Sequence, residues 1–260
     1  MKKRITIAAL ALLLMLPVFI FGQNKAGKKA DLKIIYEMKI GNLTENKEVA
    51  TYYYQLLFNN TRSVYADTDA KMYYDYITSN KGNYQPVMPP KAKGSVYKEN
   101  EKLVVFLPVN GDIYSFDEPV LQWTILKGRE KKVAGYNCLL AKTTTDTGVV
   151  FYAWFTPDIP IPEGPFRFKG LSGVVLETYN EKNTIWISAM QIQKSSEEIA
   201  PLKYTKVYAV EKKEFLNKRR EFNANPTTKQ LDFLIKVVGP DGSELKDSPR
   251  KSINPNYFLD

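Results

Sequence analysis

Apolar and polar residues alternate with a period of two along much of this chain. Leu32, Ile34, Tyr36, Met38 and Ile40 interleave with Lys33, Ile35, Glu37 and Lys39, and Tyr52, Tyr54, Leu56 and Phe58 repeat the pattern. Successive side chains of a strand point to opposite faces, so this spacing predicts strands with one face in a core. Asn59-Asn60 predicts a turn into a further strand at Arg62–Tyr65, with antiparallel pairing between neighbours. Residues 66–94 are rich in Asp, Lys, Tyr, Asn and Pro, with weak periodicity. They predict a long excursion holding a short strand near Met72–Ile77. Strand character resumes at Val96–Tyr97 and Lys102–Leu107, and Tyr114–Phe116 reads as a short edge strand.

The centre is the most regular part. Leu121–Leu126 predicts a strand, Lys127–Glu130 a polar break, and Lys132–Thr144 a long strand with Gly135 as a candidate bulge. Asp146-Thr147-Gly148 is a turn. Val149–Phe155 is almost continuously apolar, as in a strand covered on both faces. Together these make a three-stranded meander. Val174–Tyr179 and Thr184–Gln193 predict a hairpin around Asn180–Asn183. One helix is expected, in Lys212–Phe222, where Phe215, Leu216, Arg219 and Phe222 lie at helical spacing and Asn225-Pro226 ends the run. Leu231–Val238 reads as a strand or a helix turn. The fold class expected is mainly β with a minor α part: a curved antiparallel sheet or half-barrel, with one helix packed near the C-terminal part.

The ends differ from this pattern. Lys2, Lys3 and Arg4 precede an apolar run from Ile5 to Phe21, and Gly22 precedes Gln23. That order is a secretory signal peptide, expected over residues 1–22. A permanent membrane anchor is the rival, but the run is at the short limit for a span and Pro17 and Gly22 break its end. The expected organisation continues with a flexible leader at 23–30, a single β-rich domain at 31–246 and a loose tail at 247–260. The expected location is periplasmic or extracellular. The single cysteine, Cys138, is far from the cleavage site, so the chain is not read as a lipoprotein. No second apolar stretch predicts a transmembrane helix in the mature chain.

Composition narrows the chemistry. The chain has no histidine and one cysteine. That removes Ser-His-Asp and Cys-His relays, and with them a conventional zinc site. No EF-hand loop, P-loop or GxGxxG fingerprint occurs, so no cofactor, metal or catalytic set is assigned. One cysteine makes no intrachain disulfide. Cys138 shares a strand face with Tyr136 and Leu140 and is expected in the core. The net charge of +9 is scattered. Nucleic acid is not expected as a partner of an exported chain without a basic, aromatic-interleaved module. An anionic membrane or glycan surface is compatible with the charge.

Residues 149–177 read VVFYAWFTPDIPIPEGPFRFKGLSGVVLE. Pro157, Pro160, Pro162 and Pro165 cannot donate to a ladder, so 157–165 leaves the sheet as a stiff connection. Gly170 and Gly173 bracket Leu171-Ser172 and suggest a tight turn or a close backbone approach. The order Trp154-Phe155-Thr156-Pro157-Asp158-Ile159-Pro160, then Gly164-Pro165, then Gly170-Leu171-Ser172-Gly173-Val174-Val175, resembles the GLPGLI family, the Porph_ging-type exported proteins of Bacteroidetes. Gly135-Tyr136-x-Cys138-x-x-Ala141 and Trp123 extend the likeness over about residues 121–180. Ser172 departs from the proline of the name motif. The family has no established activity, so the resemblance implies export and architecture. It marks Trp154, Asp158, Pro160, Gly164, Pro165, Gly170, Leu171 and Gly173 as motif positions and candidate binding residues.

Other residues have a plain reading. Trp154, Phe155 and Trp186 are expected in the core rather than in a ligand groove. Asp158, Glu163 and Glu177 are expected to be solvated or to cap turns, and Arg167 and Lys169 to lie on the surface. The function this supports is a non-enzymatic, exported cell-envelope protein binding an apolar or amphipathic, lipid-like ligand or another envelope protein. A structural or assembly partner, meeting its neighbour through 157–165 or a strand edge, is the alternative. A carboxylate-dependent hydrolase requires Asp158, Glu163 or Glu177 to converge in a cleft.

Overall fold

A computed structural model describes residues 27–79, 89–90 and 92–224. The expected signal peptide, residues 23–26 of the leader, the segment Leu231–Val238 and the tail from 247 lie outside the described residues. In chain order the elements are β1 (Leu32–Asn42), β2 (Lys47–Phe58), β3 (Arg62–Asp67), α1 (Ala70–Ser79), β4 (Ser95–Glu99), β5 (Lys102–Val109), β6 (Asp112–Asp117) and β7 (Thr124–Val133). They continue with β8 (Tyr136–Thr144), β9 (Val150–Thr156), β10 (Val174–Asn180), β11 (Ile185–Lys194), β12 (Val207–Ala209) and α2 (Lys212–Ala224).

The strands form one open, curved 12-stranded sheet in the order β12-β6-β5-β4-β3-β2-β1-β11-β10-β9-β8-β7. Neighbours are antiparallel except β12 and β6, which run parallel. The long β1–β11 pairing joins two meanders, β1 to β6 and β7 to β11, into one surface. The alternation seen in the sequence sets the faces. Phe116, Val105, Val96, Tyr65, Leu56 and Ile34 stand opposite one another on successive strands and are all buried. A one-residue slip would turn each of them outward, so this row holds the register. The inner face is covered by the segment 157–173 and by α2, whose fully buried Phe215 packs on Tyr114 and Phe116. Burying one such phenylalanine stabilises by about 1.5–3 kcal/mol.

Part of the outer face is covered as well, over β2–β4. Leu57 and Val64 pack there with Ala30 and Ile199, and Ala66 packs with α1 and Leu202. Residues 27–30, read from the sequence as leader, thus belong to the packed body. The Ala30 amide donates to the Glu197 carbonyl, and Asn59 Nδ2 donates to the carbonyls of Gly27 and Lys29.

Three local expectations change. Residues 70–79 are a helix, not a short strand. Tyrosine-rich sequence favours strands, but Ala70 and Tyr74, one helical turn apart, are the buried pair, and Lys71–Asp75 is an i,i+4 ion pair at 2.8 Å. Gly135 is not a bulge within one long strand. Ala134 (φ 47°) and Gly135 (φ 86°) form the two-residue turn between β7 and β8; two positive φ values match the twist of a hairpin. The bulge sits upstream, where the β7–β8 register shifts between Leu126 and Glu130. β7, β8 and β9 form the expected three-stranded meander, but Lys127–Glu130, expected as a polar break between strands, lies within β7.

Candidate functional site

The motif segment 157–173 does leave the sheet, but it folds back onto it. The amides of Gly170, Val174 and Val175 donate to the carbonyls of Pro162, Ile159 and Glu163. The Phe168 amide donates to the Pro165 carbonyl, closing a turn with Phe166 at φ 48°. Ile159, Phe166 and Phe168 enter the main core, while Leu171 joins Ala141, Ala153, Phe155 and Val175 in a second cluster. The motif glycines follow from this packing. A Cβ on Gly164 would run into the Phe168 carbonyl oxygen and come within 2.8 Å of Val175 Cβ. One on Gly173 would strike the Thr156 carbonyl, and Gly170 has φ +95°. Ser172, the departure from the name motif, is exposed.

The charges on this segment are buried, against expectation. Glu163 receives Lys98 at 2.8 Å and Lys169, which also donates to Ser63 Oγ at 3.2 Å and to the Gly164 carbonyl at 2.9 Å. Arg167, fully buried, meets Glu118 at 2.6 Å and Asp146 at 2.8 Å, and Lys212 at the start of α2 meets the same two carboxylates at 2.9 and 2.6 Å. Phe-Arg-Phe-Lys alternation reads as a solvated strand; in a folded-back loop both sides meet protein. Burial lowers the Lys169 ammonium pKa against the raising effect of Glu163. Burial raises the Glu163 carboxyl, but Lys169 and Lys98 outweigh it and hold it low. Partial burial likewise raises Asp146, yet hydrogen bonds from Lys212 and Arg167 pull it down to about 2. Burial dominates at Glu118, whose pKa is raised.

The carboxylates weighed for acid–base work stand in different surroundings. Asp158 and Pro160 are exposed, Glu163 is buried in its ion triad, and Glu177 is buried beneath Lys131, whose Nζ lies 2.7 and 2.9 Å from its two oxygens. The Lys169–Ser63 contact resembles a nucleophile with its base, but Ser63 has no exposed surface. Among the described residues no group of three carboxylate or thiol side chains gathers to hold a metal. Cys138 is a buried free thiol, as expected, and burial pushes it up to about 11.

Trp154 and Trp186, expected in the core, are half-buried on the outer face; Phe155 alone is buried. Strand alternation puts Trp154 opposite Phe155. The registers place Thr51, Lys39, Trp186, Tyr179, Tyr152 and Lys142 in one row across β2, β1, β11, β10, β9 and β8. Tyr152 and Tyr179 stack with centroids 5.5 Å apart. Lys39 lies over the Trp186 ring at 5.3 Å and Lys142 over Tyr152 at 5.8 Å. In the adjacent row, Trp154 sits under Lys131, whose Nζ lies 5.7 Å from its ring centroid. The segments that cover β2–β4 stop short of this half of the face. A groove of 740 Å³ opens at the Trp186 end, lined by Lys39, Leu43, Thr44, Asn46, Asn183 and Trp186 among others. The alternation of Tyr152, Trp154, Tyr179 and Trp186 was the available signal for this row; it became readable only with the register.

Residues 127–177 match the family described as "Protein of unknown function (Porph_ging)". The match spans β8, β9 and the folded-back segment, the part of the chain whose motifs pointed to that family. No curated protein matches the chain. Among solved structures, PNGF-II in two crystal forms is similar, with TM-scores of 0.51 and 0.49, 13% identity, and coverage of 74% of this chain. The chain spans 33% of the length of PNGF-II, and at that identity the likeness is one of fold. An uncharacterised conserved protein from Thermus thermophilus is similar at a TM-score of 0.36 and 6% identity, covering 71% of this chain and 91% of that one. No helix among the described residues is long and apolar enough to cross a membrane.

Proposed function

We propose that this is an exported, non-enzymatic binding protein of the cell envelope that meets its partner on the outer face of the sheet. One observation carries the reading: the inner face, where a curved-sheet carrier would hold a lipid, is occupied by the chain's own segment 157–173 and by Phe215. The residues that would serve a carboxylate-dependent hydrolase are locked in ion pairs or stand apart. The half-buried aromatic rows on the uncovered part of the outer face supply contact area instead, since Tyr and Trp offer an apolar body with a polar edge. Export rests on the leader pattern of residues 1–22.

Mass spectrometry of solvent extracts from the purified protein tests the binding mode; no stoichiometric lipid is expected, and one lipid per chain would overturn it. N-terminal sequencing of protein from the natural host tests export. A first residue at or near Gln23 is expected, and an intact Met1 would refute cleavage.

A further inference from the structure

We infer that the outer row Lys39–Trp186–Tyr179–Tyr152–Lys142, with the groove beside Trp186, is a binding site for an anionic carbohydrate chain. The inference rests on the reading above, that the protein binds on its outer face, and names the class of ligand.

The row is continuous because its members are direct cross-strand neighbours, and strands lie about 4.8 Å apart. Three aromatic side chains therefore follow one another at the spacing of the ladder, with a cation at each end. A sugar ring has apolar C–H patches on its faces and hydroxyls around its rim. Aromatic rings cover the first, and Asn, Thr and Lys side chains serve the second. The groove provides such groups: Asn46 and Asn183, both at turn tips with positive φ, together with Thr44, Thr51 and Lys39. Charge selects within the class. Lys142 has no carboxylate in ion-pair range among the described residues, and Lys39 pairs with the neighbouring Glu37 at a half-exposed position. Both ammonium groups also lie over rings, Lys39 on Trp186 and Lys142 on Tyr152, a weak contact at exposed sites. A carboxylate or sulfate on the ligand draws each lysine off its ring, and the freed face takes up the sugar. The lysines, resting over the rings in the free protein, thus become ligand contacts in the bound one. A neutral glycan gains nothing from moving them.

Isothermal titration of the full chain tests this with three probes: polygalacturonate oligomers, neutral dextran oligomers of equal length, and phosphatidylglycerol vesicles. The polygalacturonate oligomers are expected to bind at least about tenfold more tightly than dextran, and to weaken as salt rises because exposed charges are screened. Trp186→Ala and the pair Lys39→Gln/Lys142→Gln are expected to lower affinity about tenfold each, with thermal unfolding near that of the parent. Equal binding of dextran, binding to vesicles alone, or parent-like affinity in both variants would overturn the assignment. No binding of any probe would overturn the row as a carbohydrate site and leave the surface-binding reading standing. Release of new reducing ends from the oligomers would refute the non-enzymatic reading itself while retaining the site.

Discussion

The folded-back segment 157–173 and the outer aromatic row use the same residue types to opposite ends. Both set basic side chains beside large aromatic rings. In the segment, Lys169, Arg167 and Glu163 are at most 2% exposed, and their charged groups meet fixed protein partners. In the row, Lys39 and Lys142 lean on half-exposed rings that a ligand can uncover. A charge taken out of water must be held by protein at every lone pair or proton, so it becomes architecture. A charge left at the surface costs little to rearrange, so it remains available to a partner.

Breaking the inner ion triad tests that contrast most severely. Glu163→Ala leaves Lys169 buried with its carboxylate gone, and is expected to lower stability in urea unfolding by about 3–5 kcal/mol. A loss below about 1 kcal/mol would show that water reaches the triad. Gly164→Ala comes next. Its Cβ must push the Phe168 carbonyl or Val175 aside, for an expected loss of about 1–3 kcal/mol; an unchanged urea midpoint would show that the segment can relax.

Acidification titrates the same region. The depressed carboxyls, Asp146 and Glu163, contribute stability that is present above their ordinary values of 3.8 and 4.5 and is lost as pH falls through the folded values. For Asp146 that window runs from about 4 down to about 2. Glu118, raised by burial, acts in the opposite sense, since its protonation relieves a cost of the folded state. Urea midpoints between about pH 5 and pH 2 are therefore expected to fall less in Asp146→Asn than in the parent; parallel curves would remove Asp146 from the account. The smallest effect belongs to the outer row. Tyr152→Ala gives up one cross-strand stack, an expected loss of about 0.2–1 kcal/mol. A loss as large as that of Glu163→Ala would make the row a structural brace.

The elements that were legible in the sequence share a cause. In β1 one face is core and the other half-exposed, so period two is written into the chain; β10 is buried on both faces and showed itself as a continuous apolar run instead. α2 showed itself by Phe215, Leu216 and Phe222. α1 carries a stripe too, since Ala70, Tyr73, Tyr74 and Ile77 pack in one cluster at helical spacing, but it is only 10 residues long and its tyrosines favour strands. The Ala134-Gly135 turn was hidden because it holds no Asn, Asp or Pro and the more polar Lys127–Glu130 upstream offered a stronger break. Gly170 and Gly173 read in the sequence as a tight turn or a close backbone approach, and Gly173 meets the Thr156 carbonyl, 17 residues back, which only the fold brings near; the crowding of Gly164 by the Phe168 carbonyl had no such reading.

By itself the sequence determined the alternation that makes a sheet, the prolines that expel residues 157–165 from it, the lack of histidine and the leader pattern of residues 1–22. These depend on local geometry and composition, which a linear string contains. Only the tertiary structure decided which charges are buried, because burial depends on what folds over a residue rather than on its neighbours in sequence. It also decided that Trp186, Tyr179 and Tyr152, from three strands, stand in one row. Register is a relation between strands, and no single strand carries it.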